Sequence, residues 1–150
     1  MKEKLKSLSL NLLLIFGIFF FALLIYLVYI AGPNRAYEKE DRQLIEAFEK
    51  SNNITNLTLE NRFAFDDVTY IVSNSSRTTL YWFSRDLKNS GFETYQDFSP
   101  AQRWVDGQGL TATDISYGVY EDKLVYFIRT DRFDFIIDFE TQDVVLRIGV

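Results

Sequence analysis

Carboxylates are the side chains of this sequence that offer a route to acid–base chemistry, because its 150 residues contain no histidine and no cysteine. A zinc or copper centre normally draws its ligands from those two residue types. Ser-His-Asp and Cys-His nucleophilic arrangements need them as well. The acidic candidates are Asp66-Asp67, Glu121-Asp122 and the series Asp131, Asp134, Asp138. On one strand face, Asp134 and Asp138 would stand about 13 Å apart. The paired carboxylates of a glycosidase stand roughly 5–10 Å apart, so this spacing is too wide. The adjacent pairs fall between strand-like runs, where Asp caps its own backbone in a turn. No spacing matches the twelve-residue calcium loop. No G-x-x-x-x-G-K-S/T or G-x-G-x-x-G run occurs, and Gly107-Gln108-Gly109 reads as a helix stop rather than a phosphate cradle. The expectation is a protein that is not an enzyme, with no metal, no cofactor and no small-molecule ligand.

Aromatic side chains offer a different kind of chemistry, recognition of another protein. Leu80-Tyr81-Trp82-Phe83 is apolar on both faces of its strand. One face should meet a helix that starts near Ala36. The other either packs on a second unit or presents a partner with a Tyr- and Trp-rich patch, the residue types favoured at interfaces. Tyr81, Trp82 and Phe83 are therefore the candidate partner-binding residues, weighed against plain core packing. Trp104, on a short amphipathic helix, reads as a core anchor.

Several elements must hold these residues in place, and the first is an anchor. No charged residue occurs from Ser7 to Asn34, and residues 12–31 are almost wholly apolar. At about 1.5 Å rise per residue, twenty helical residues span roughly 30 Å, the thickness of a bilayer's hydrocarbon core. A cleaved signal peptide would have an apolar core of about 7–15 residues and a small-x-small exit. Here the exit is Val28-Tyr29-Ile30-Ala31-Gly32-Pro33, bulky where small residues are wanted. Residues 1–11, with Lys2, Lys4 and Lys6, form a cytoplasmic tail in this reading, and residues 12–31 a single retained span. Everything beyond the span lies outside the cytoplasmic membrane. The chain outside the tail and span holds 13 of the 16 Lys and Arg and 20 of the 21 Asp and Glu, a net charge of −7. Such a surface gains nothing from nucleic acid or anionic lipid.

The remaining elements come in two cycles of helix followed by antiparallel meander, an α+β class. Gly32-Pro33-Asn34 breaks the backbone, and residues 36–50 form a helix with Tyr37, Leu44, Ile45 and Phe48 as its apolar stripe. Strands are predicted over 56–65, 68–72 and 78–83, with residues 87–97 as a connection. The second cycle opens at Ser99-Pro100, an N-cap before a helix that faces Ala101, Trp104 and Val105 inward. Strands follow over 111–120, 123–130, 133–139 and 144–148. In the third of these, Phe133, Phe135, Ile137 and Phe139 alternate with a wetter face of Asp134, Ile136 and Asp138. The units span residues 35–97 and 98–150, with Tyr70 and Tyr126 in equivalent places. One such unit buries little core alone, so the two are expected to pack together.

This layout resembles the TseB-like family of Gram-positive cell-wall elongation regulators. The best local element runs from Leu124-Val125-Tyr126-Phe127-Ile128 through Asp138-Phe139-Glu140-Thr141-Gln142-Asp143-Val144-Val145. It is similar to the family's closing hairpin, an apolar strand, Asp-Phe-x-Thr, a polar turn and an apolar strand. The family's turn usually carries Gly where this chain has Gln142-Asp143. The resemblance implies two cystatin-like (PepSY-like) units exposed between membrane and wall, binding a penicillin-binding peptidoglycan synthase and modulating elongation. It brings no catalytic residues. The rival readings are a peptidase-inhibitor or chaperone-like module at the cell surface, a carboxylate-dependent cell-wall hydrolase, and a structural subunit of a membrane complex.

Overall fold

A helix is the one open-chain conformation that satisfies every backbone group within itself, and the apolar N-terminal run adopts it. The computed structural model describes the backbone of residues 2–149 and the side chains of residues 12–29 and 35–149. Helix α1 spans Lys2–Tyr26, a π-helical turn follows at Leu27–Ala31, and helix α2 spans Gly32–Asn52. The expected break at Gly32-Pro33-Asn34 is therefore not a break. The wider π turn just before Pro33 absorbs an extra residue and relaxes the hydrogen-bond ladder at the point where proline can donate no N–H. The expected tail is helical from Lys2 onward. Leu12–Tyr29 has a mean hydropathy of 2.8, and none of it is buried within the chain. By length and composition this helix can cross a membrane, and a signal sequence has the same properties.

The chain divides into two compact units after Leu44. In the first, Tyr37 of the predicted stripe is exposed and Leu44 half-buried. The second unit, residues 45–150, holds both sheets. Strands β1 (Thr58–Ala64), β2 (Val68–Ser73), β3 (Thr79–Ser84) and β4 (Ser90–Thr94) form one antiparallel meander in the order β1-β2-β3-β4. Helix α3 (Ser99–Gly107) leads to a second meander of β5 (Ala112–Tyr120), β6 (Lys123–Thr130), β7 (Phe133–Asp138) and β8 (Val144–Gly149), in the order β5-β6-β7-β8. The α+β class and the two antiparallel sheets agree with the sequence reading.

Both faces of the first sheet are covered. On one, Phe48 in the last turns of α2 stacks on Phe83 at 4.4 Å, and Phe83 stacks on Tyr70 at 5.3 Å. Asn53 ends that helix in the left-handed region at φ 56°, and Glu49 Oε1 accepts the Leu57 N–H at 2.7 Å. On the other face, Phe63, Ile71, Leu80 and Trp82 enter a single core with Ala101 and Val105 of α3 and Tyr117, Tyr126, Ile128 and Ile137 of the second sheet. Strands β1 and β5 meet closely, with the Phe63 ring about 3.0 Å from where a Cβ on Gly118 would stand.

Three local expectations need correction. Residues 90–94, read as connection, form strand β4, whose Asn89-Ser90-Gly91 start looks like a turn and whose Phe92 points into solvent. Gly91 serves close approach rather than a turn. A Cβ there would stand 2.6 Å from Trp82 Nε1. Ser99 is not the N-cap of α3, since Phe98 holds that place and Asp97 accepts both the Ser99 N–H and hydroxyl at 3.0 Å. Within the expected Gly107-Gln108-Gly109 stop, the helix runs through Gly107 and is ended by Gly109 at φ 65°. Its N–H donates to Asp106 O at 3.0 Å, and the Leu110 N–H donates to Val105 O at 3.1 Å, a Schellman closure. Finally, Ile136 is fully buried rather than on a wet face, with Phe127 and Leu146 as its cross-strand partners.

The Gly91–Trp82 approach generates a test. Trp82 is buried and cannot swing away, so Gly91→Ala should destabilise the protein by about 1–3 kcal/mol through overpacking. Gly107 faces open space within a helix. There Gly107→Ala should be neutral or stabilising by up to about 1 kcal/mol. Urea midpoints of the detergent-solubilised chain compare the two, and equal midpoints would refute the steric account.

Candidate functional site

The three aromatic residues singled out in β3 separate by face. Strand alternation sends Trp82 with Leu80 toward the second sheet, and Tyr81 with Phe83 toward the end of α2. Trp82 is 6% exposed and Phe83 fully buried, so both are core residues. Tyr81 alone reaches the surface, half-buried, with its ring 6.3 Å from Phe48 and 6.2 Å from Phe92. Phe92, on the neighbouring strand, is 71% exposed. Tyr81 and Phe92 together line shallow grooves at the free edge of the first sheet. Tyr81 and Phe92 thus form a surface aromatic pair. Phe92 escaped the sequence reading because β4 has only one apolar side chain and no alternation to betray it.

The acidic residues mostly hold turns. Glu121 and Asp122 make the two-residue β5–β6 connection with φ of 49° and 58°, the conformation of a type I′ turn. Asp67 Oδ1 accepts the Val68 N–H at 2.7 Å. Asp138 Oδ1 accepts the N–H groups of Glu140 at 2.9 Å and Thr141 at 2.8 Å, closing the β7–β8 turn. In that turn Gln142 sits at φ 59°, a conformation that suits glycine. Asp134 lies 3.6 Å from the Arg129 guanidinium across the strand pair. Asp66-Asp67 and Glu121-Asp122, far apart in sequence, converge on one open cleft that also takes Thr69, Ser84 and Asn89. All four acids are solvent-exposed, and no group of three or more acidic residues that could hold a metal occurs among the described residues.

The perturbed carboxyls are shifted away from the range useful to a general acid, which needs a raised pKa. Hydrogen bonds from Ser99 lower Asp97, and the Thr141 N–H does most to lower Asp138. Asp86 is lowered chiefly by its hydrogen bond from Lys88, 2.7 Å away. The buried hydroxyls are structural as well. Tyr117 donates to Gln96 O at 2.7 Å, and Tyr126 donates to Asp97 O at 2.9 Å. Burial pushes both phenols well above the ordinary tyrosine range, so they remain neutral donors that pin the link between β4 and α3. Their signal in the sequence was the placement of Tyr126 in an otherwise apolar strand.

Two predictions follow from these placements. Phe83→Ala should cost about 3–5 kcal/mol, as for a buried Phe, whereas Tyr81→Ser should cost about 1 kcal/mol. Similar losses in urea melts would contradict the division of β3 by face. For pH, the folded forms of Asp97 and Asp138 hold protons less tightly than the unfolded chain. Their stabilisation is complete above about pH 5 and fades as pH falls below about 4, the ordinary carboxylate value. Asp138→Asn keeps an acceptor oxygen but cannot titrate, so its urea midpoint should fall less steeply than wild type between about pH 6 and pH 3. An unchanged slope would show that the Asp138 carboxylate is not linked to folding.

No protein-family model, no curated protein and no solved structure matches the chain.

Proposed function

We propose that this protein is a single-span, membrane-anchored module that binds another protein outside the cytoplasmic membrane and modulates peptidoglycan synthesis or cell elongation through a penicillin-binding synthase. The observation that carries the reading is the helix over Leu12–Tyr29, almost wholly apolar and with none of its residues buried within the chain. So large an apolar surface needs a covering medium, and lipid is the one its length fits. The N-terminal tail is inside and residues 45–150 are outside. Confinement to the membrane raises the domain's effective concentration toward other membrane proteins, so a modest interface suffices for binding. The TseB-like layout of anchor, helix and two meanders supports the choice of partner. The capping roles of Asp67 and Asp138, and the turn positions of Glu121 and Asp122, favour a binder over a carboxylate hydrolase.

The test is photo-crosslinking in the native host, with a photoreactive phenylalanine analogue in place of Tyr81 and mass spectrometry of the adducts. Adducts with a penicillin-binding synthase or another elongation component are expected, on a chain whose intact mass retains the N-terminal helix. Adducts with a membrane protease would replace this reading with the inhibitor one. Recovery of a chain cleaved near Ala31 would refute the anchor.

A further inference from the structure

Four strands form the edges of the two sheets, β1 and β4 in the first and β5 and β8 in the second. Three of them carry devices that discourage a further strand. β1 pairs with β2 through a register shift at Leu59/Asn61 and lies against β5, where the Asn61 side-chain amide donates to Tyr117 O. β5 pairs with β6 through its own shift at Ala112/Asp114. β8 pairs with β7 through a shift at Ile136/Ile137 and carries Arg147, whose guanidinium lies 3.6 Å from the centre of the Phe133 ring. Bulges, basic side chains and cover are how sheet edges are protected. β4 has none of these. It runs in unbroken register from Thr79↔Thr94 to Phe83↔Ser90 and contains neither proline nor a basic residue.

The hydrogen-bond parity of that edge is settled by its two ends. The Ser84 N–H donates to Asn89 O and the Tyr95 N–H to Thr78 O, both at 2.9 Å. In this register residues 89, 91, 93 and 95 turn their backbone groups toward β3. Ser90, Phe92 and Thr94 turn theirs outward, and all three are exposed. On one face of the edge, Phe92 and Tyr81 form a surface aromatic pair, flanked by grooves of about 320 and 360 Å³. On the other face, Glu93 has no ion-pair partner among the described residues. Residues 45–150 carry ten Lys and Arg against seventeen Asp and Glu. Two copies of this unit repel each other, which disfavours edge-to-edge pairing with itself and favours a basic partner.

We propose that the free edge of β4 accepts an extended segment of a partner polypeptide as a fifth strand, with Lys or Arg alternating with apolar residues. Backbone hydrogen bonds to Ser90, Phe92 and Thr94 supply the pairing. The apolar side chains of the segment lie against Phe92 and Tyr81, and its basic side chains lie on the opposite face beside Glu93. The proposal rests on the protein-binding reading above and names the surface and the chemistry of its partner.

The test uses the full-length chain in phosphatidylcholine nanodiscs, whose neutral lipid does not attract a basic probe. The probe is a fluorescent octapeptide alternating Lys with Val and Phe, and the control replaces each Lys with Glu. Wild type should bind the Lys peptide, with hydrogen exchange slowed at Phe92 and Thr94. Thr94→Pro removes an outward N–H without disturbing the β3 pairing, and should weaken binding at least tenfold. Glu93→Lys should reverse the preference toward the Glu peptide. Absence of binding, affinity unchanged by Thr94→Pro, or protection at β8 instead would overturn the proposal. Protection that rises with protein concentration and no peptide would make a second copy the occupant and overturn it too. Peptide capture at β4 without wall-synthesis adducts at position 81 in cells would refute the wall-synthesis reading alone. Adducts in cells with no peptide capture would refute the edge proposal alone.

Discussion

Strands β2 and β3 are apolar on both faces, and a sheet of that kind cannot be stable with only one side covered. Tyr70, Val72 and Phe83 point one way, and Ile71, Leu80 and Trp82 the other, all of them buried. Phe48 at the end of α2 closes the first side. The second side is closed only by the other half of the chain, because a meander of this size carries too little apolar surface to bury itself. The two helix-and-meander cycles therefore share one core, as the small size of each cycle leads one to expect.

The joint between the cycles is held by groups that are individually modest. Gly91 lets the Trp82 indole lie flat against β4, and Gly118 does the same for the Phe63 ring against β5. Neither glycine is needed for its backbone angles, so each is there for space. Tyr117 and Tyr126 extend their hydroxyls through the core to the carbonyls of Gln96 and Asp97, with Phe98 packed against the Tyr117 ring at 4.4 Å. The link between the sheets is thereby tied into the core, and an edge strand that ends beside it is presented on a stiff body. A rigid edge loses little entropy on pairing with an incoming segment, which is what a recognition surface of only five residues needs.

Much of the fold is legible in the sequence because it rests on local periodicity. The strand runs through Tyr70, Trp82, Tyr126 and Ile137 have β-branched and aromatic enrichment with polar turns on either side, and their limits agree with the structure to within about two residues, the usual uncertainty of element ends. The acidic residues were legible as turn formers for the same reason, since an Asp that caps its own backbone does so within three residues. What the sequence hid was non-local. β4 is recognisable only by its pairing with β3, as its own residues alternate exposed Phe92 with Gly91 and Glu93. The burial of Ile136 depends on cross-strand partners, and so does the convergence of Asp66-Asp67 with Glu121-Asp122.

By itself the sequence determined the long apolar helix, the α+β class, the positions of most strands and the absence of histidine and cysteine chemistry. Each of these follows from residue type and spacing along the chain, where hydrophobicity and backbone preference act over a few residues. The tertiary structure alone decided which aromatic residues face solvent. Tyr81, Trp82 and Phe83 are alike in composition, yet the pleat sends Trp82 to one core and Phe83 to the other, and leaves Tyr81 at the rim beside Phe92. It also decided which sheet edge stays open, because an edge is defined by what fails to pair with it, and pairing is settled only when distant segments meet.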